Sequence, residues 1–525
     1  GNKGGMLPKK TDKPKIDDLN KIPVIVEKGS DEVFNSGDYI LFYAQGANVW
    51  YYNSNTKYYH HHKHQFADYN CYFITESDEP TYEMFTVQQT EGNSSAPIIS
   101  TFDDYDFVEP DDINLLHSGA EWFGDRFSNN LKRKYSFNFS NISTISKAIL
   151  YYDFVSISQA TSYFTIYTGN RTKSLIINKN SFSSYGEKSD TLNFYSNSSN
   201  ISVDITFKSS SNIEVEGYLN YLGVNVVRNL KYSGNQLHFR NNVIYNSGKV
   251  SKYVIETDVK DAIILDITNV NSPNIIKYST DKNSIFFFSN PDTIHQYIIF
   301  NKNGDVLSPI VDEQSGNIKN QDIHGSAIPD LIIVSPTDTG IYNQALRLAK
   351  FRESYDKLNV LLVTTDQIYN EFSSGVRDVS AIRNMVKYFY DRDVEHKKMK
   401  YLLLFGKGTF ANHIDKTNNY NLIPTFESEE SLISTLSYVT DDFFGWMDNN
   451  TNINTNDNLL SIGIGRLPVK NANEAKIVVD KLINYENPSY DGDWKNILCF
   501  VGDDEDGYIH TQEANMLANY VDNNY

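Results

Sequence analysis

The hydrophobic period of this chain changes at Pro329, and that change limits which folds are open to it. Upstream, apolar residues recur at every second position. Val203, Ile205 and Phe207 alternate with Asp204 and Thr206, the pattern of a strand with one wet face. Continuous apolar runs at Ala262 to Ile267 and Tyr297 to Phe300 read as strands buried on both faces. Turn signals such as Ser233-Gly234-Asn235 and Asn246-Ser247-Gly248 intervene, which points to an antiparallel sandwich or barrel. The 37 tyrosines and 30 phenylalanines suit such sheets. Residues 22–300 exceed one small sandwich, so two β domains are expected, with a join near 110–135. Residues 1–21, rich in Lys, Pro and Asp, are expected to form a flexible arm, and residues 301–329 a polar connector.

Downstream the pattern becomes α/β. Leu331 to Val334, Val360 to Val363, Tyr401 to Phe405, Leu459 to Ile464 and Ile497 to Val501 are five short apolar runs. Helical stripes lie between them: Ile341, Ala345, Leu348 and Tyr355; then Val379, Ile382, Val386 and Phe389; then Ala475, Val478, Val479 and Leu482. Asp378 and Asn471 stand where helix N-caps belong. A last helix carries Ala514, Leu517, Ala518 and Val521. Strands separated by helices need crossover connections, so residues 330–525 are expected to form a mostly parallel sheet wrapped in helices.

Composition removes several function classes. With 47 basic and 66 acidic residues the net charge is −19, which argues against a nucleic-acid partner and against binding an anionic membrane. No apolar run approaches the length of a transmembrane segment. Two cysteines, Cys71 and Cys499, allow neither a disulfide scaffold nor a four-thiolate zinc site. The chain begins Gly-Asn-Lys-Gly-Gly, so a removed leader and export are expected.

Chemistry in an open parallel sheet belongs beyond the carboxyl ends of its strands. Gly406-Lys407-Gly408 follows the third run and is too short for a P-loop. Asp503, Asp504 and Asp506 follow the fifth run, where clustered carboxylates either hold Ca²⁺ or form a solvated acidic loop. Asp441 and Asp442 sit in an acidic-aromatic stretch and either brace a loop or face substrate. His60, His61, His62 and His64 could bind a metal, or form an exposed, tyrosine-flanked hairpin. Cys499 lies inside an apolar run, and burial there would leave its thiol inert. His510, beyond the acidic loop, is its nearest candidate base in sequence.

Asn320-Gln321-Asp322-Ile323-His324, Tyr369 to Gly375, Ala381-Ile382-Arg383, Thr440 to Gly445, Gly463 to Val469, and Val501 to Asp504 with His510 together resemble the gingipain-type (C25) cysteine peptidases. The likeness is to the PorU-type signal peptidases of type IX secretion. Gly37 to Tyr43 and Ser118 to Phe127 resemble the β-rich amino-terminal region of that subgroup. The resemblance implies a caspase-like peptidase fold with a Gly-His-Gly base and a later Cys nucleophile. This sequence has no Gly-His-Gly, so no catalytic residue is assigned within it, and the dyad is expected beyond Tyr525. The resemblance further implies protein substrates with C-terminal sorting domains, an outer-membrane β-barrel partner of the PorV kind, a cell-surface location in a Bacteroidetes-type bacterium, and no required cofactor. A non-catalytic β-rich surface binding or adhesion protein is the alternative. A metal-dependent hydrolase using the Asp503–Asp506 loop is a weaker third reading.

Overall fold

The computed structural model describes residues 5–10, 19–28, 33–75, 83–157, 160–178, 184–210, 215–304, 306–310, 317–412, 420–449 and 458–524. Strand pairing upstream of residue 302 is mostly antiparallel. The strands Lys132–Asn138, Asn200–Ser209, Ser162–Thr168 and Arg171–Ile177 form one sheet. A second sheet orders Tyr185–Phe194, Ala148–Ile157, Glu216–Asn229 and Thr101–Val108. The alternation at Val203, Ile205 and Phe207 turns those side chains inward, where they meet Leu150, Phe154 and Phe164. Phe154 and Phe164 stack with centroids 4.2 Å apart. Hydrogen bonds between Thr101–Val108 and Glu216–Asn229 run across the expected join near 110–135. A further pair of sheets encloses Phe239, Tyr253, Phe287 and Tyr297.

The histidine tract is a strand, Tyr58–His62, paired with Val49–Asn53. It is a hairpin, as one reading had it, with His62 exposed and His60 and His61 partly buried. His61 lies against Phe107 at 4.0 Å, and its Nδ1 is 2.8 Å from the Tyr151 hydroxyl. Its Nε2 contacts Glu109. The aromatic faces of the second sheet explain this, because they give the hairpin an apolar surface to cover.

The flexible-arm expectation needs correcting for residues 5–10; residues 1–4 and 11–18 lie outside the described residues. The Gly5 N–H donates to the Ala47 carbonyl at 2.8 Å, and the Leu7 N–H to Asp378 Oδ2 at 2.8 Å. Arg383 donates to the carbonyls of Lys9 and Pro8. Met6 and Leu7 pack against the core around Ile382. A segment poor in apolar residues is thus held by backbone groups that charged partners bind, a mode that leaves little trace in hydropathy.

Beyond the connector the sheet is parallel, in the order Val360–Thr364, Leu331–Ser335, Tyr401–Leu404, Gly463–Arg466. Alternate residues of Leu331–Ser335 serve opposite faces. Ile332 and Val334 join Ile382, Val386 and Phe389 of the helix Val379–Arg392. Leu331 and Ile333 join Ile341, Ala345 and Leu348 of the helix Thr339–Tyr355, with Ala475 and Val479 of the helix Ala472–Tyr485. Each fully buried Val, Leu, Ile or Phe among them stabilises by about 1.5–3 kcal/mol.

Two expected strands differ from the structure. The fourth begins at Gly463, not Leu459, because Leu459 and Leu460 are exposed. Ile497 to Val501 is not paired with any described strand, and Ile497, Leu498 and Val501 are exposed. A strand needs a hydrogen-bonded neighbour, which local hydropathy does not reveal. Cys499 is therefore exposed, contrary to the buried setting expected for it. Cys71 likewise lies in irregular chain and not in a strand, packed beside Gly375. The helix Ile509–Asn524 leaves Met516, Leu517 and Tyr520 open to solvent.

Candidate active-site edge of the parallel sheet

The carboxyl ends of three neighbouring strands lead into Ser335-Pro336, Phe405-Gly406-Lys407-Gly408 and Leu467-Pro468. Arg466 ends its strand and fastens this edge. Its Nε and Nη2 donate to the two oxygens of Asp441, each at 2.7 Å. Its Nη1 donates to the carbonyls of Gly406 and Ile423, each at 2.9 Å. A planar guanidinium can make this fork, and a lysine cannot. Asp441 is thereby tied to the end of a strand 25 residues away. Asp442 opens a short 3-10 turn, its N–H donating to the Thr440 hydroxyl. Gly408 is required by space, since a Cβ there would lie 2.5 Å from Thr425 Cγ2.

A loop of the β-rich region sits on this edge. Gly119, at φ +86°, donates its N–H to Glu427 Oε2 at 3.0 Å. The Ala120 N–H donates to the Ser428 carbonyl, and the Glu121 N–H to Ser431 Oγ. A side chain at Gly119 would meet Ser431 Oγ at 2.4 Å. Phe410, just past the glycine turn, is flanked by His117 at 4.9 Å and Trp122 at 5.8 Å.

Glu427 is a buried carboxyl with two donors, the Gly119 N–H and the Thr425 hydroxyl. Burial pushes it up to about 8, against the pull of those hydrogen bonds and of Lys9. Lys9 is itself held below its ordinary value by burial, with Glu429, Asp378 and Glu427 opposing. Between the unfolded value near 4.5 and about 8, the folded chain holds a proton on Glu427 that the unfolded chain has released. Stability must therefore fall as pH rises through that window. Glu427→Gln, which keeps a neutral side chain of similar shape, is expected to flatten that part of the pH dependence. Thermal unfolding of both proteins from pH 5 to 8 checks this; parallel curves would contradict it.

The other sequence candidates do not converge. His510 is half exposed, with Asp506 and Glu513 at 3.9 and 3.6 Å. Asp503, Asp504 and Asp506 are exposed, and among the described residues no group of three or more His, Cys, Asp or Glu could hold a metal ion. His324 stacks on Phe372 at 4.4 Å and bonds Glu371 at 2.7 Å, which ties the connector to the helix Thr365–Phe372. Sequence reasoning missed Glu427, Arg466 and Lys9. An Arg ending an apolar strand was a usable signal. Glu427 gave none.

Residues 324–525 match the model of peptidase family C25. Among solved structures, dimeric latent PorU from Porphyromonas gingivalis matches with a TM-score of 0.75 and 24% identity. The match covers 95% of this chain and 48% of that chain, so this chain spans about half the length of that structure. The CBM36-1 domain of a multidomain xylanase from the hindgut metagenome of Trinervitermes trinervoides matches 23% of this chain and 96% of its own, at 14% identity and a TM-score of 0.17. A family 35 carbohydrate binding module from an environmental isolate matches 24% of this chain and 92% of its own, at 10% identity and a TM-score of 0.18. Scores this low bear on neither fold nor function. No curated protein matches. Residues 324–525 are thus similar to peptidase family C25, and together with the β-rich region before them they share the fold of PorU.

Proposed function

We propose that this chain is the amino-terminal part of a cysteine endopeptidase of the gingipain and PorU type, which removes C-terminal sorting signals from type IX secretion cargo. The observation that carries the reading is the family C25 match over the parallel-sheet region, joined to a β-rich region in the arrangement shared with PorU. In this reading the His and Cys of the dyad are supplied beyond Tyr525. The thiolate attacks the peptide carbonyl beside an imidazolium, and backbone N–H groups hold the oxyanion. The edge fastened by Arg466 and Asp441 then serves as the rigid floor on which that dyad is set. The exposed apolar run 497–501 supports the reading, because a further strand laid beside it would cover it.

The same reading puts the protein at the cell surface with an outer-membrane β-barrel partner. No described helix is long and apolar enough to cross a membrane, so attachment through a partner fits it. The chain of residues 1–525 alone is expected to show no turnover of a cargo peptide, with Cys499→Ala making no difference. Turnover by wild type that vanishes in Cys499→Ala would overturn the placement of the dyad.

A further inference from the structure

A cavity of about 270 Å³ lies where the hairpin, the outer face of the second sheet and the Gly408–Asn412 turn meet, lined by His61, Glu109, Glu121, Trp122, Tyr151, Asn220, Tyr221 and Asn412 among others. Its floor follows from strand register. Asp153 lies two residues from Tyr151 and directly opposite Tyr221, so all three stand on one face of the sheet. The register slips between Asp153 and Phe154, leaving Asn220 as an extra residue on its strand. Such a bulge re-aims a side chain, and here Asn220 bonds both Asp153 and Glu187.

The hydrogen-bond inventory of this cavity is one-sided. Asn412 is 2% exposed, and its Oδ1 meets no donor among the described residues. Asp153, 6% exposed, lies behind this lining and is bonded to Glu187 and Asn220. The Glu121 side chain opens on the cavity, and the charges acting on it are those of Glu187, Glu430, Glu109 and Glu429. Glu121 is exposed by surface area, yet crowding by neighbouring atoms together with those like charges pushes it up to about 8. Two of the nearby bases are engaged elsewhere. Lys63 bonds Asp111 at 2.6 Å and the Glu109 carbonyl at 2.9 Å, and His61 is taken by Glu109 and Tyr151. A buried acceptor without a donor costs free energy, and a ligand bringing N–H groups and a positive charge would satisfy it. The rings of Trp122, Tyr151 and Tyr221 suit a cation on an apolar stem. A hard metal ion would need several oxygens converging on one point, and no such group exists among the described residues.

We propose that this cavity binds an organic cation, a primary ammonium or guanidinium group on an apolar stem, through Glu121 and Asn412. The cation belongs to a free small amine or to a Lys or Arg side chain. The proposal does not depend on the peptidase reading, since every group it uses lies in this chain. Calorimetric titration of the full chain with cadaverine, agmatine and the blocked amides of lysine and arginine tests it, with n-pentanol as the neutral control. Binding of the amines but not of the blocked residues identifies a small-molecule site; binding of the blocked residues identifies a side-chain site. Either result supports the proposal. Glu121→Gln is expected to weaken binding roughly ten- to a hundredfold, the loss of one charge-assisted hydrogen bond. Glu121→Lys supplies the cation from within, so it should abolish binding and raise the melting temperature. A purely structural Glu121 would lower that temperature on either change. No binding of any cation by the wild type, equal binding of n-pentanol, or binding unchanged in Glu121→Gln would overturn the proposal.

Discussion

Replacing Arg466 by alanine is expected to cost about 3 kcal/mol and to loosen three separated loops together. A pair that is mostly buried and loses one partner leaves the other charge without compensation, which costs about 3–5 kcal/mol when burial is complete. Here Arg466 is 12% and Asp441 24% exposed, so the lower end applies. The alanine would leave Asp441 unpaired and take a donor from the carbonyls of Gly406 and Ile423. Arg466→Lys keeps the charge but cannot span both carboxylate oxygens and two carbonyls, so it should recover less than half of the loss. Hydrogen exchange read at residues 405–408, 423–426 and 440–445 checks the claim. Faster exchange in one loop only, or none, would show that the three are not held through one side chain.

That arrangement also shows what hydropathy could and could not reveal. Three strands of the parallel sheet were legible because each is a short apolar run, and the helices packed on them show apolar stripes. Ile382, Val386 and Phe389 are buried as their spacing required. Asp378 and Asn471 cap the helices they precede, accepting from Ser380 and Glu474. The reading failed where burial is set by contacts remote in sequence. Val501 is as apolar as Val334, yet one is 88% exposed and the other 0%, because only Val334 has strands hydrogen-bonded on both sides. The candidate site was less legible still. Asp441 was singled out, but its partner lies 25 residues away. Asn412 and Glu121 acquire meaning only when a cavity brings them together. Polar residues in loops look alike in sequence, and tertiary placement separates a solvated carboxylate such as Asp503 from one walled in such as Glu427.

The same reasoning gives the second large effect. Removing residues 1–10 is expected to destabilise the α/β region by about 3–5 kcal/mol, the range for a buried charge that loses its partners. Arg383 is 0% exposed and rests on the face of Phe443 at 4.2 Å, and burial holds its guanidinium down at about 9. What keeps it tolerable are the carbonyls of Pro8 and Lys9 and the charge of Asp378. Without the segment, Asp378 also loses the Leu7 N–H, and Met6 and Leu7 leave the core. Arg383→Met, similar in length and uncharged, should cost less in the full chain than the deletion does. In the truncated chain the same change should restore part of the loss, because no buried charge is then left unpaired. The four proteins form a double-mutant cycle, read by thermal unfolding. A strong coupling between the two changes is the expected result. Additive losses would mean that the segment stabilises the fold through Met6 and Leu7 alone, with its hold on Arg383 contributing nothing.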